Sequence, residues 1–248
     1  MKTQLDSTRR RTAAALISAT ALLVALGASS ANAATAYAVI TEPVGTDHLA
    51  QLGQQFDAWK KAKLISGVKL LKAQPGQKEP GFSNLAIVTL PSEKAYKDWS
   101  ADAQAKIGQN TIVRQADLIK QEGRPSKTPT QAVHVASLYA THVPAADYKA
   151  YTTSYVTPNM NLQRASGIMS QYTMYMERDP VAGKVRSLLV MEYADEAAYA
   201  KREKVKADSK KKLAANAEWK RINDTKETIR TDISSTASNE VNLSAPAR

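Results

Sequence analysis

Leu85-Ala86-Ile87-Val88-Thr89-Leu90-Pro91-Ser92-Glu93-Lys94-Ala95-Tyr96 and Leu188-Leu189-Val190-Met191-Glu192-Tyr193-Ala194-Asp195-Glu196-Ala197-Ala198-Tyr199 decide the fold. Each opens with an apolar run of strand length. Each then places a capping residue, Ser92 or Asp195, before an acid, an alanine and a tyrosine, the start of a helix. The same strand-to-helix junction thus occurs twice, at a constant offset of 103 residues. That recurrence predicts a duplicated unit.

Reading outward from the first junction, Tyr37 to Ile40 is a strand. Asp47 is placed to cap a helix with Leu49, Leu52, Phe56 and Trp59 on one face, and Gly67 to close it. Val68 to Leu71 is the next strand, and the turn from Gln74 to Gly81 leads into Leu85–Leu90. After Ser92, the residues Tyr96, Trp99, Ala103 and Ile107 share a helical face, and Thr111 to Ile119 is a fourth strand. The order is β-α-β-β-α-β.

Around the second junction the order repeats. Val133 to Tyr139 is a strand, and Pro144 opens a helix bearing Tyr148, Tyr151 and Tyr155 until Pro158 breaks or kinks it. Met169 to Met176 and Val185 to Tyr193 are strands. Asp195 starts a long helical region, broken near Asn216, with a weak strand at Thr231 to Thr236. Between the halves, Gly123-Arg124-Pro125-Ser126-Lys127-Thr128-Pro129-Thr130 has no apolar residue and reads as a linker. The domains are therefore 34–122 and 131–248, joined by 123–130.

Residues 1–33 read as a secretory signal. Lys2, Arg9, Arg10 and Arg11 precede an uncharged apolar run from Ala13 to Leu26, and Ala31-Asn32-Ala33 offers small residues for cleavage before Ala34. The expected address is outside the cytoplasm, periplasmic or extracellular, with no membrane insertion after cleavage. There is no cysteine, so disulfide and thiolate chemistry are excluded and the fold must rest on its apolar core. The chain carries a net +11, of which the leader's four bases and one acid account for three. The basic residues are scattered among acids, and Lys210-Lys211-Lys212 reads as a solvated helix face.

Two β-α-β-β-α-β units joined in one chain resemble the dimeric α+β barrel (ferredoxin-like) superfamily, in which two such units pack their sheets face to face. Tyr155-Val156-Thr157-Pro158-Asn159-Met160 and Glu218-Trp219-Lys220 are similar to stretches of small exported bacterial proteins of this type, for which no activity is implied. The resemblance implies an α+β fold with the partner unit supplied in cis, each half hiding the other's apolar sheet surface. The superfamily includes cofactor-free monooxygenases, isomerases, haem enzymes and modules without known chemistry, so the fold does not select a function.

The residues narrow the choice. Histidine occurs only at His48, His134 and His142. His134 lies in a strand, on the face opposite Val133 and Val135. An axial haem ligand in the second half would have to be His134 or His142, and no metal-binding spacing exists; no metal and no cofactor are expected. Gly-x-Ser-x-Gly, phosphate-loop and dinucleotide motifs are absent. With two phenylalanines and no basic-Gly-aromatic signature, nucleic acid is not an expected partner.

The second half is rich in tyrosine and methionine, which suit both a core and the wall of an apolar pocket. If a ligand site exists it lies between that half's helix and sheet, with His134, Tyr148, Tyr151, Tyr155, Arg164 and Tyr172 as its residues. The expected partner is an apolar small molecule. The residues alone choose neither the ligand nor the oligomeric state. Two functions compete: a non-catalytic binding or interaction module, and a cofactor-independent monooxygenase- or isomerase-like enzyme. A deep closed cleft with convergent His, Arg or Tyr favours the enzyme, and a cleft filled by side chains favours the module.

Overall fold

A computed structural model describes residues 35–108, 110–180 and 183–243. The export signal expected at residues 1–33 lies outside them. The first half runs β1 (Ala36–Glu42), α1 (Leu49–Lys61), β2 (Gly67–Ala73), β3 (Asn84–Leu90), α2 (Glu93–Lys106) and β4 (Ile112–Gly123). The second runs β5 (Val133–Thr141), α3 (Ala145–Tyr151), a π-turn (Thr152–Val156), α4 (Thr157–Ala165), β6 (Met169–Glu177) and β7 (Arg186–Tyr193). It continues through α5 (Glu196–Ala200), α6 (Arg202–Leu213) and α7 (Ala217–Thr225) to β8 (Arg230–Glu240).

The eight strands close into one barrel in the order β1-β3-β2-β8-β5-β7-β6-β4. Within each half the order is that of a ferredoxin-like sheet, β4-β1-β3-β2 and β6-β7-β5-β8. Two seams join them. β4 pairs with β6 from Ala116–Glu177 to Gly123–Gln171, whereas β2 meets β8 only at Leu71–Glu240, Lys72–Asn239 and Ala73–Ser238. Closure leaves no sheet edge exposed to pair with other chains.

Cross-strand partners share a face. Val39 stands opposite Ile87 and Arg114, and Ile87 opposite Lys69. These positions point inward, where Val39, Leu71, Ile87, Tyr175, Leu188 and Val190 from both sheets form one apolar cluster. The alternate positions point outward, against the helices. In the first half Phe56, Trp59 and Trp99 fill that outer layer, with the Trp59 and Trp99 rings edge to face at 5.3 Å. The sheet surface that each half would otherwise expose is covered by the other.

Both junctions form as the sequence predicts. Ser92 Oγ accepts the Ala95 N–H at 3.1 Å and Asp195 Oδ1 accepts that of Ala198 at 2.7 Å. Asn216 caps α7 through the Trp219 N–H at 3.0 Å, where a break was expected. Other expectations are corrected. Asp47 caps nothing: His48 takes the N-cap position without a side-chain capping bond, its Nδ1 lying 2.8 Å from Glu42 Oε1 instead, and Asp47 faces Lys72 at 3.5 Å. Helix α1 stops at Lys61, ahead of Lys63 in the left-handed region (φ 58°), and Gly67 begins β2.

Pro158 does not end its helix. A proline lacks the N–H for the carbonyl four residues back and its ring crowds that carbonyl. Here the helix widens just before it, so that Thr157 N–H reaches the Thr152 carbonyl five residues back. The chain then continues as α4. The weak strand expected at Thr231–Thr236 is the full-length β8, paired on both sides.

Candidate functional site

The outer layer of the second half is not filled. Between the outer face of β5, β7 and β8 and the covering helices lies a cavity of about 540 Å³. That volume falls in the range of small-molecule sites. The helical segment from α3 to α4 is longer than either first-half helix, and its π-turn holds Tyr155 and Val156 against the sheet. α6 and α7 span the other side. The walls are apolar and aromatic: Val135, Tyr139, Tyr155, Met160, Leu189 and Tyr193.

One wall comes from the other half of the molecule. The β2–β3 loop brings Gln77, Lys78 and Glu79 across to β8. Gln77 binds β8 as a neighbouring strand would: its Nε2 donates to the Ala237 carbonyl at 2.8 Å and its Oε1 accepts the Ala237 N–H at 2.7 Å. Gly81 N–H donates to Thr236 Oγ1 at 2.8 Å. A Cβ at Gly81 would lie 2.1 Å from Ser234 Oγ, so glycine and small hydroxyl residues are what permit this approach.

A stack of rings lines the back. Tyr148, Tyr151 and Tyr155 follow one another at 5.5 and 5.2 Å, and Tyr155 stacks on Trp219 at 5.0 Å. Tyr155 OH donates to Asn223 Oδ1 at 2.9 Å, and the Trp219 indole N–H to the Tyr155 carbonyl at 3.0 Å. Arg230 lies over the Tyr139 ring at 3.6 Å, a cation–π contact. Burial pushes the phenols of Tyr139, Tyr151, Tyr155 and Tyr193 up from their ordinary value. They stay protonated near neutrality and are not bases.

Of the residues expected at the site, Tyr155 lines the cavity, and Tyr148 and Tyr151 stand behind it in the stack. Tyr148 is held there by its hydroxyl contact with Ser187 Oγ at 2.5 Å. The other three lie elsewhere. Tyr172 packs under α4 in the core, and Arg164 pairs with Glu122 at 3.5 Å beside a separate, shallow hollow. His134 points into the barrel.

There His134 joins a polar knot that closes one end of the interior. Its Nε2 lies 3.3 Å from Glu192 Oε2, to which Lys69 and Gln171 also donate, each at 3.0 Å. Ser170 Oγ donates to Glu192 Oε1 at 2.8 Å, and the Ser126 amide donates to the same oxygen. Burial alone would raise the Glu192 pKa. The His134 contact, the Lys69 charge and these donors instead hold its carboxyl well below the usual carboxylate range. At the other end Arg186 grips Glu177 bidentately at 2.7 and 2.8 Å, with Arg114 at 3.5 Å. These ends are ion-paired plugs around an apolar middle.

Sequence reasoning missed the cations. Arg202, Lys206, Lys210, Lys226 and Arg230 all line the cavity. Lys210, read as part of a solvated face, turns toward it while Lys211 and Lys212 face solvent. Face parity could have found Tyr139 and Tyr193, which alternate with Leu138 and Glu192. Nothing local marks Arg230.

The cavity's donor set does not fit a histidine-ligated haem. Its lining contains no histidine or cysteine; His134 faces the barrel interior, and His142 Nε2 meets Thr231 Oγ1 at 3.2 Å. Among the described residues no cluster of three or more His, Cys, Asp or Glu could hold a metal ion.

No protein-family model and no curated protein matches the chain. Solved structures do. A monooxygenase-like protein of Fusobacterium nucleatum aligns with a TM-score of 0.50 and 13% identity, over 85% of this chain and 94% of that one. An anthrone oxidase-like protein aligns with a TM-score of 0.52 and 8% identity, over 84% and 91%. A chlorite dismutase variant of Candidatus Nitrospira defluvii, in complex with cyanide, gives 0.51 and 8% over the same shares. At these identities the likeness is one of fold: the chain has the dimeric α+β barrel architecture, both units in one polypeptide.

Proposed function

We propose that this dimeric α+β barrel is an exported binding module that holds an amphipathic small molecule in the second-half cavity. The observation that carries the reading is the open space of about 540 Å³ between aromatic walls and a cationic mouth. A purely structural layer would be packed, as it is around Trp59 and Trp99. Export rests on the charged, apolar and small-residue parts of residues 1–33. Native mass spectrometry of the protein from its own host tests both parts at once. The expected mass is that of a chain starting at Ala34 with a small-molecule adduct. A chain retaining residues 1–33 would sink the export reading, and an adduct-free protein that also binds no naphthalene-based probe would sink the binding reading.

A second reading is a cofactor-independent monooxygenase or isomerase. The convergence of Tyr139, Tyr155, Tyr193 and Arg230 on an unfilled cleft favours it, and cations beside an apolar wall stabilise an anion formed from a bound phenol or enol. Against it, the lining offers no nucleophile paired with a base, and its phenols are held protonated. Oxygen consumption with anthrones and hydroxynaphthoquinones tests the monooxygenase, and absorbance change of the same compounds under nitrogen tests the isomerase. Turnover in either assay that is lost in Arg230→Gln would favour the enzyme, and no turnover above buffer in both would favour the module.

A further inference from the structure

The cavity's charges are not balanced by one another. Lys78, Arg202, Lys206, Lys210, Lys226 and Arg230 line it, against Glu79, Glu203 and Asp232. Arg202 is engaged with Glu203 at 3.4 Å, and Lys226 lies 3.9 Å from the exposed Glu227 and donates to the Asn223 carbonyl at 3.3 Å. Among the described residues Lys206, Lys210 and Arg230 form no ion pair. Arg230 Nη1 is buried without a hydrogen-bond partner. Burial, and then the charges of Lys206 and Lys226, push the Lys210 ammonium below its ordinary value. Like charges held this close repel, and a protein keeps them together at a cost that a counter-anion removes. Apart from Lys78 on the β2–β3 loop, the cations come from α6, from the turn after α7 and from the start of β8.

We infer that the ligand carries a doubly charged oxyanion head, of the phosphate-monoester or dicarboxylate kind, seated among Lys206, Lys210, Lys226 and Arg230. This rests on the small-molecule reading above and adds the head group to it. A single negative charge would leave the unpaired cations repelling one another; a double charge nearly neutralises them. The guanidinium fork of Arg230 suits two oxygens of one head, and the lysines act as adjustable point charges around it. The body of the molecule then lies along Tyr139, Tyr155 and Tyr193. A ring system fits that wall against ring edges and the side chains of Val135, Met160 and Leu189, since Tyr151 and Trp219 stack on Tyr155 and Arg230 lies over Tyr139.

Calorimetric titration of the full chain separates these parts. The probes are 2-naphthyl phosphate, naphthalene-2,3-dicarboxylate, 2-naphthoate, 2-naphthol and inorganic phosphate. Either dianion is expected to bind at least ~10-fold more tightly than 2-naphthoate or 2-naphthol, with the gap shrinking as sodium chloride rises from about 50 to about 300 mM. Which dianion leads identifies the head. The double variant Lys206→Gln/Lys210→Gln, at an exposed and a half-buried position respectively, is expected to lose ~10-fold for the dianion and under ~2-fold for 2-naphthol. Equal affinities for the dianions and 2-naphthol, or a variant that binds the dianion like the parent, would overturn the head group and leave the binding reading standing. Inorganic phosphate binding as tightly as 2-naphthyl phosphate would support the anion site while refuting the apolar body. Binding of no probe at all would overturn both.

Discussion

Glu192 shows how much a single side chain can hold. Its carboxylate takes Lys69, His134, Gln171, Ser170 and the Ser126 amide, so strand β7, the first half and the segment between the halves are tied at one point. Its pKa is depressed in the folded state, so the stability it contributes is fully present above the unfolded value of about 4.3 and is lost as pH falls below that. Urea unfolding from pH 7 down to pH 3 should therefore show Glu192→Gln weaker by about 3 kcal/mol at pH 7 and flatter below about pH 5. A variant as acid-sensitive as the parent would remove this role. Gly123 is a second such point. Its φ is +95°, and a Cβ there would lie 2.2 Å from the Ser170 carbonyl oxygen, which leaves no room for a side chain. Gly123→Ala is expected to cost about 3 kcal/mol in the same assay. That His134 takes the face opposite Val133 and Val135 was legible, but not which face meets the helices: His134 was expected there and points into the barrel. The inward turn of Lys210 was not legible, because a lysine on a charged helix reads the same whether it meets solvent or a cavity.

Among the elements, the strand-to-helix junctions were legible because Ser92 and Asp195 combine strand ends with caps within a few residues. Asn216 belongs with them: Asn216→Ala should destabilise by about 1 kcal/mol, read from the fluorescence of Trp219 during urea unfolding. Pro158 marked an irregularity without saying which kind, since a kink, a stop and a widened turn all relieve the same clash. β8 read only as a weak strand at Thr231 to Thr236 because Ser234, Thr236 and Ser238 occupy its inward positions, where apolar residues mark other strands. Those hydroxyl groups are small enough for the β2–β3 loop to approach. Gln77→Ala removes the side chain that pairs with Ala237. A loss of about 1 kcal/mol there should speed dissociation of a cavity-bound naphthyl probe about fivefold while barely moving the unfolding midpoint. Unchanged stopped-flow release would mean that the loop does not hold the mouth.

For the molecule as a whole, the duplicated order gave the barrel, but closure depends on partners more than a hundred residues apart. The cavity depends on them too, which is why Arg230 and the β2–β3 loop could not be placed beside Tyr155 from local sequence alone. Since the two sheets share one apolar interior, the halves should unfold together. In Trp219→Phe the remaining Trp59 and Trp99 report the first half alone, and their transition should coincide with circular dichroism of the whole chain to within about 0.2 M urea. Two separated transitions would contradict a shared interior. The short β2–β8 seam has a further consequence for how the chain is assembled. β8 is the last barrel strand to leave a ribosome, yet it supplies the closing pairs with β2, the rail on which Gln77 rests and, in Arg230, the cation over Tyr139. A nascent chain therefore has neither a sealed cylinder nor a finished pocket until its final strand docks, and a molecule able to occupy that pocket would act as a latch on the completed product.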